Sequence, residues 1–246
     1  MRVLALDTTT RAGSAALVSD DRIVDERRGD GARTHALRLP GEIVDLLRAN
    51  QWPLAEVDLF AVASGPGSFT GLRIGIATIQ GLAFVHGRRI VAIPALEAIA
   101  HAADDELPAG ARIGVWMDAH RHDVFAALYQ VHAAPRFTRA RLTELEGPRV
   151  GRPAEALERW RAFGALPSVI AGDGAALYAG DLERDAPATT ITPAVQLAGA
   201  IGLLAVDRAA DAQQPSAVRP LYVRRPDAEV LRDEQLLRAR ANPRET

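Results

Sequence analysis

A glycine-rich segment between an apolar run and a helical pattern constrains this fold more than any other feature. Residues 64–75 read SGPGSFTGLRIG, after a strand-like run at 59–63 and at the start of a helix-like run at 69–85. Such a turn brings backbone N–H groups close to an anion, and Ser68 is well placed as the N-cap. Each glycine inside the helix costs on the order of 1 kcal/mol relative to alanine, which indicates close approach of another backbone. The segment predicts a phosphate cradle or a close-packed helix interface around Gly65, Pro66, Gly67, Ser68, Gly71 and Gly75.

The composition favours a soluble cytoplasmic protein with a substantial core. The chain has 246 residues, of which 48% are hydrophobic and 24% charged, enough for one large or two small domains. A net charge of −2 argues against autonomous binding of nucleic acid. The absence of cysteine excludes a disulfide framework and a thiolate metal site. We recognise no signal segment and no membrane-spanning run in the sequence, and we expect no membrane contact.

The order of predicted elements repeats once along the chain. Residues 1–103 predict β-β-β-α-β-α-β-α, and a polar stretch at 104–110 carries the Pro and Gly of a boundary. The order then returns in shorter form, with a third strand predicted at 136–142 and a last helix at 194–210. This pattern predicts an α/β fold of mixed sheets with helices on their faces. We expect a first lobe (1–103), a smaller second lobe (104–224), a cleft between them, and a charged C-terminal tail (225–246).

Two segments together resemble the bacterial TsaB family, also called YeaZ. They are LALDTT at residues 4–9 and the glycine-rich segment, with further matches at Arg33-Thr34-His35, at Asp118 and at PLYVR in residues 220–224. The resemblance covers nearly the whole chain and implies the two-lobed, ribonuclease H-like fold of actin, sugar kinases and Hsp70. It also implies two partners. One is TsaD, the catalytic subunit that transfers a threonylcarbamoyl group to the adenosine beside the anticodon of certain tRNAs, and the other is the small ATPase TsaE.

The resemblance also indicates where a nucleotide would bind. Active members of the superfamily carry Asp-Gly in a first phosphate loop, whereas here Thr8 follows Asp7. The hairpin at 118–123, where the second loop is expected, contains no glycine to admit phosphate. The candidates for a vestigial nucleotide site, with at most weak ATP or ADP binding at the partner interface, are Asp7, Thr8, Thr9, Asp118, Gly172 and Gly174. The alternative is that Asp7 and the two threonines cap a tight turn and that the two glycines only punctuate a strand–helix junction.

The sequence offers little support for peptidase or metal chemistry. TsaD-like enzymes carry two histidines four residues apart on the third helix of the first lobe, and the matching helix here has His101 with Glu97 four residues before it. One histidine and one glutamate fall short of the four ligands of a structural metal site. No Ser-His-Asp set, cysteine nucleophile or zincin motif is present. We therefore expect no catalytic residue and no metal ligand.

The predicted helices at 34–49 and 69–85 are the candidate partner surface. The first carries more apolar residues than one core-facing stripe requires, and the second carries small residues at spacings of three and four. In the family these two helices pair with the equivalent helices of TsaD. The candidate interface residues are Arg33, His35, Leu37, Ile43, Leu47, Gly71, Arg73, Gly75, Thr78 and Leu82. The alternative is that the second helix packs tightly on its own sheet, and that Gly71 serves only this packing.

These observations predict a non-catalytic subunit that binds and activates or stabilises a TsaD-like enzyme. It would contact tRNA only through that complex, and a homodimer through the same helices is an alternative assembly. The rival functions are an ATP-dependent phosphotransferase of the sugar-kinase superfamily and a glycoprotease-like peptidase. The missing glycine after Asp7 and the glycine-free hairpin both argue against the phosphotransferase.

Overall fold

The computed structural model describes residues 1–164, 166–193 and 196–224. The first half of the chain forms a five-stranded sheet from β1 (Arg2–Asp7), β2 (Ser14–Ser19), β3 (Arg22–Arg28), β4 (Leu59–Gly65) and β5 (Arg89–Pro94). Its strand order is β3-β2-β1-β4-β5, in which β1 to β3 are antiparallel and β4 and β5 run parallel to β1. The hairpins at the start of the chain therefore pair locally, while the later strands arrive through helical crossovers.

Two helices cover one face of this first sheet. They are α1 (His35–Ala49) and α2 (Phe69–Val85), which contact each other and pack on β1, β2 and β4. Buried apolar residues at helical spacing, such as Ile43 and Leu46 of α1 and Ile76 and Ile79 of α2, form a core with Phe60 of the sheet. The helical periodicity of the sequence predicted both helices to within one residue.

The second half of the chain builds a second five-stranded sheet of the same design. Its strands are β6 (Arg112–Asp118), β7 (Val124–Val131), β8 (Leu142–Gly151), β9 (Val169–Ala171) and β10 (Thr190–Thr192), in the order β10-β9-β6-β7-β8. Helices α4 (Pro153–Arg161), α5 (Asp173–Leu177) and α6 (Ala179–Asp185) cover one face around Trp116 and Trp160. The predicted two-lobed α/β fold is confirmed. Short 3-10 turns occupy Leu54–Glu56, Ala209–Asp211 and Pro215–Ala217.

The third strand of the second lobe lies later than the sequence predicts. The prediction of 136–142 is wrong, because the strand is β8, at Leu142–Gly151. Gly147 and Pro148 broke its strand pattern, yet β8 is an edge strand, where proline is tolerated. A bulge accommodates them, since Glu146 pairs with Leu128 and Arg149 with Ala126.

The last helix of each half packs across on the sheet of the other half. Helix α7 (Ala198–Asp207) contacts all five strands of the first sheet, and a Cβ at Gly202 would lie 2.5 Å from Val18 Cγ2. Helix α3 (Ala95–Ala103) contacts β6, β7 and β9 of the second sheet as well as β4 and β5. One hydrophobic core therefore runs through both lobes. All described strands before residue 103 belong to the first sheet and all later ones to the second, as the predicted boundary implies. The two helices α3 and α7 nevertheless pack on the sheet of the other half, and the domain boundaries stay a prediction.

Two predicted segments lie partly or wholly outside the described residues. Helix α7 begins at Ala198, and residues 194–195 of the predicted helix are not described. The charged tail at 225–246 lies outside the described residues as well.

The interlobe cleft and the outer helix faces

A cleft of about 1080 Å³ opens between the two lobes. Thr9 and the glycine-rich segment line it from the first lobe, and Asp118 lines it from the second. The C-terminal segment at 221–224 forms part of the wall. The structure thus brings together several residues that the sequence singled out. Asp173 and the segment 221–224 also line the cleft. In the sequence, Asp173 was only a neighbour of the candidate glycines 172 and 174, and residues 221–224 belonged only to a motif that resembles the family.

The glycine-rich turn binds its own chain at the cleft. The Ser68 N–H donates to the Thr9 carbonyl at 2.7 Å, and a Cβ at Gly67 would lie 2.6 Å from Thr9 Cβ. The Ser68 hydroxyl accepts a hydrogen bond from Gly71 N–H at 3.2 Å, which confirms Ser68 as the N-cap of α2. Because the Ser68 amide and the space beside Gly67 are both taken by Thr9, this turn packs against the β1–β2 loop.

The glycines within α2 accommodate that same loop. A Cβ on Gly75 would lie well under 3.0 Å from Thr8 Oγ1, and a Cβ on Gly71 would lie equally close to the Thr8 carbonyl oxygen. Both glycines are buried, and Thr8 is fully buried beneath them. The prediction that Gly71 and Gly75 face a partner is therefore wrong, since their close-packed neighbour is the chain's own Thr8.

Asp7 closes the turn that carries this loop. Its Oδ1 accepts hydrogen bonds from Thr9 N–H at 2.8 Å and from the Thr9 hydroxyl at 2.6 Å. The side chain is almost fully buried, and this burial raises the pKa of the Asp7 carboxyl above its usual range. Asp7 and Thr9 thus make the Asx-type turn that was the alternative to phosphate binding.

Two buried side chains of α1 clamp the other side of the loop. Arg38 donates to the carbonyls of Arg11 and Ala12 and to His35 Nδ1, so His35 keeps its proton on Nε2 and donates it to the Thr10 carbonyl at 3.0 Å. Burial lowers the pKa of His35, which favours this neutral form. The prediction that His35 belongs to the partner interface is therefore wrong.

The hairpin of the second lobe is held by a hydrogen bond within itself and by one to the β9–α5 turn. Asp118 accepts from the His120 N–H at 2.8 Å, and Asp173 accepts from the N–H groups of Asp118 and Gly174 at 2.9 Å. A Cβ at Gly172 or Gly174 would lie under 3.0 Å from the Trp116 carbonyl oxygen. These two glycines therefore let the β9–α5 turn approach β6, which is their alternative role as junction residues.

Helix α3 contains an ion pair and a buried histidine. Arg208 of the segment after α7 grips both carboxylate oxygens of Glu97. His101 is fully buried, stacks on Phe137 with ring centroids 6.0 Å apart, and has a pKa lowered to about 4 by that burial. Among residues 1–164, 166–193 and 196–224, no three histidine, aspartate or glutamate side chains are grouped to hold a metal ion.

The outward faces of α1 and α2 form an exposed, largely apolar surface, which we call the outer face. On α1, Leu37 is 72% exposed and Val44 is 49% exposed, and on α2 Phe84 is 78% exposed. The small residues between them leave open space, since a Cβ at Gly41 or Gly81 would meet nothing within 4 Å. The remaining members are Pro40, Ala77 and Val85.

The outer face differs from the candidate partner surface that the sequence predicted. Leu37 and Arg73 are exposed, and Arg33 is exposed beside the cleft. Thr78 and Leu82 are half-buried, whereas Ile43 and Leu47 lie in the core, so the prediction is wrong for these last two. Ala77, Gly81 and Phe84 of the outer face were missed, because α2 is apolar on most sides and its periodicity does not indicate which side faces the sheet. Gly41 and Val44 of α1 were missed as well.

Comparison with known proteins places this chain among relatives of one kind. The family model described as "TsaD: tRNA N6-adenosine threonylcarbamoyltransferase" matches residues 29–158, more than half of the chain. An uncharacterized protein of Mycobacterium tuberculosis is 32% identical over 93% of this chain and 94% of its own length. The tRNA threonylcarbamoyladenosine biosynthesis protein TsaB of Escherichia coli is 35% identical over 53% of this chain and 55% of its own length.

Solved structures decide the matter. YeaZ from Pseudomonas aeruginosa superposes with a TM-score of 0.69 at 29% identity, over 90% of this chain and 99% of that one. A second Pseudomonas aeruginosa structure, described as similar to peptidase YeaZ, gives a TM-score of 0.71 at 31% identity over 91% of this chain and 99% of its own. The chain belongs to the TsaB (YeaZ) family. Within the described part of this TsaB-family chain, no helix is both long and apolar enough to cross a membrane.

Proposed function

We propose that this protein is a non-catalytic subunit in the biosynthesis of threonylcarbamoyladenosine in tRNA. It binds a TsaD-like enzyme through the outer face and thereby stabilises or activates that enzyme for threonylcarbamoyl transfer. The tRNA binds the assembled complex rather than this subunit alone, and a TsaE-like ATPase is a further partner of the complex. The curated relatives named for this pathway support the process, and the geometry of the two helices supports the binding role.

The exposure of the outer face carries the proposal. Monomeric proteins rarely leave contiguous large apolar side chains in water unless a partner covers them. Here Leu37, Val44 and Phe84 project from two adjacent helices whose opposite sides are packed on their sheet. Gly41 and Gly81 lie between them and admit the backbone of a partner helix. This combination of projecting apolar residues and small residues suits helix–helix packing at short distance.

The cleft gives the rival phosphotransferase little support. Thr9 takes the Ser68 amide and the space beside Gly67 that a phosphate cradle would need, and Thr8 fills the space under α2. Asp118 and Asp173 are engaged with neighbouring backbone amides. We expect the purified protein to show no ATP turnover, and steady turnover abolished by Asp118→Asn would favour the phosphotransferase instead.

The proposal is tested by affinity for the TsaD-like protein of the same genome, measured by titration calorimetry. Gly81→Arg and Leu37→Glu place bulk or charge on the outer face and are expected to weaken binding at least a hundredfold, because a buried unpaired charge is costly. Matched controls lie on the second lobe. A Cβ at Gly180 would meet nothing within 4 Å, and Leu177 is 60% exposed, so Gly180→Arg and Leu177→Glu should bind as the wild type does.

All four substituted positions lie outside the core, so each variant should melt near the wild-type temperature. Wild-type affinity in both Gly81→Arg and Leu37→Glu would overturn the proposal. So would a wild-type protein that forms only homodimers through the outer face and ignores the TsaD-like protein.

A further inference from the structure

Arg73 lies at the edge of the outer face in a small cluster of aromatic side chains. Its guanidinium carbon lies 3.9 Å from the centre of the Phe69 ring, and its Nε donates to the Tyr222 hydroxyl at 3.0 Å. The Phe69 and Tyr222 rings in turn pack with their centres 4.9 Å apart. Three side chains that are each partly exposed therefore hold one another in place at the mouth of the cleft.

The C-terminal segment fixes the aromatic half of this cluster. The Leu221 N–H donates to the Ser64 carbonyl at 2.7 Å, and Arg224 binds the Ala119 carbonyl and the Asp123 carboxylate of the second lobe. Tyr222 lies between these two anchors, which fix the backbone from which its side chain reaches Arg73. The orientation of the Arg73 side chain is thus set before any ligand arrives, which lowers the entropic cost of binding.

The outer edge of the guanidinium is available to a ligand. Across residues 1–164, 166–193 and 196–224, no hydrogen bond or ion pair engages the two terminal nitrogens of Arg73. A planar guanidinium held by stacking presents paired donors that match a carboxylate in a bidentate geometry. Arg73 also continues the outer face, because it precedes Ala77, Gly81 and Phe84 at spacings of four, four and three on the exposed side of α2.

We propose that Arg73 receives an aspartate or glutamate carboxylate of the TsaD-like partner at the rim of the outer face. This inference rests on the proposed function and adds a specific polar contact to it. The side chains that hold Arg73 are aromatic, and the residue continues an apolar helix face, which suits one carboxylate at the polar rim of an apolar interface.

The test compares partner affinity for the wild type, Arg73→Met, Arg73→Lys and Tyr222→Phe by calorimetry at low and high salt. Arg73→Met should weaken binding about ten- to a hundredfold and flatten its salt dependence. Arg73→Lys should recover only part of the loss, because lysine lacks the fork, and Tyr222→Phe should weaken binding by a smaller factor. Arg184→Met, which removes an exposed arginine of α6, is the matched control and should leave affinity unchanged.

The carboxylate itself is found by changing each acidic residue of the partner to its amide. One of these changes should be non-additive with Arg73→Met in a double-mutant cycle. Each variant is first shown to melt as the wild type does, and Arg73→Gln serves as a second truncation.

Two outcomes separate this inference from the proposed function. Unchanged affinity and salt dependence in Arg73→Met and Arg73→Gln, together with lost binding in Gly81→Arg, would overturn the inference and leave the proposed function intact. Normal binding by all of these variants would overturn both. If Arg73→Met bound the partner normally but weakened tRNA binding by the assembled complex, Arg73 would be a phosphate contact and the inference would be wrong.

Discussion

At the scale of single residues, His101 shows how burial controls charge. The imidazole is fully enclosed near the junction of the lobes, and neither ring nitrogen has a hydrogen-bond partner among the described residues. The charges that act on it are Glu97 on its own helix, Arg208 and Asp207 from the end of α7, and Asp104 after α3. Burial outweighs the three carboxylates and lowers the pKa to about 4.

This burial predicts a loss of stability in mild acid. The unfolded chain takes up a proton at His101 near pH 6.5, whereas the folded chain takes it up only near pH 4. The unfolded state therefore binds more protons between these values, and the free energy of unfolding falls as the pH falls, by up to about 3 kcal/mol from this residue. Urea unfolding at pH 7.5 and pH 4.5 measures the difference.

His101→Leu should reduce this pH dependence, because leucine does not titrate. His122→Asn, in the exposed hairpin of the second lobe, provides the comparison and should keep the wild-type behaviour. An unchanged pH dependence in His101→Leu would contradict the prediction.

At the scale of elements, the packing of α2 on the β1–β2 loop explains two kinds of glycine in one helix. Gly75 lies against Thr8, whereas Gly81 faces open space. The sequence shows both as glycines in the middle of a helix, each with the same intrinsic cost. The two glycines differ only in what a side chain would meet. The fold requires glycine at position 75, where a Cβ would collide with Thr8, but not at position 81.

Alanine at these two positions should therefore have opposite effects on the isolated protein. Gly75→Ala should lower the free energy of unfolding by about 1–3 kcal/mol, because the new methyl group collides with Thr8. Gly81→Ala should raise it by about 0.5–1 kcal/mol through helix propensity alone. Chemical denaturation of both variants measures the contrast, and Thr8→Ala should partly rescue Gly75→Ala. Stabilisation by both alanines would show that Gly75 has room and that the packing described here is wrong.

At the scale of the whole molecule, the exchange of α3 and α7 joins the lobes into one cooperative unit. Helix α7 covers the face of the first sheet opposite α1 and α2, where Ile201 and Leu204 pack in one core with Val3 and Val18. Before residue 104 only α3 reaches that face, where it contacts β4 and β5 and leaves β1, β2 and β3 to α7. The first sheet therefore depends on α7 from the second half of the chain, and the second sheet on α3 from the first half.

We expect the fragment 1–103 to fail to fold alone. Without α7 the fragment would expose to water the apolar face of β1, β2 and β3, which removes a large part of its hydrophobic stabilisation. Circular dichroism and dye binding should report a non-cooperative, aggregation-prone fragment, whereas the intact chain should melt in one transition. Mixing with 104–246 should restore cooperative melting. A monomeric 1–103 fragment that melts cooperatively by itself would refute this expectation.

The sequence by itself determined the order of most elements, the bounds of α1 and α2 to within one residue, and the cap at Ser68. Periodicity, turn residues and capping are interactions between residues close together in the chain. Local sequence is therefore sufficient to predict these features. Together with the motifs at 4–9 and 64–75, they also indicated the family. The edge strand β8 was misplaced because Gly147 and Pro148 contradict its local pattern, and only its position at the sheet edge makes them acceptable.

The tertiary structure alone decided which side of each element faces the core. That Gly75 meets Thr8, that Arg38 clamps the β1–β2 loop and that α7 covers the first sheet all depend on residues far apart in the chain. A helix such as α2, apolar on most sides, gives no sequence signal for its buried side. Of the outer face, the sequence indicated Leu37, whereas Gly41, Val44, Ala77, Gly81 and Phe84 could be assigned to it only in the structure, because exposure is known only after the core is packed.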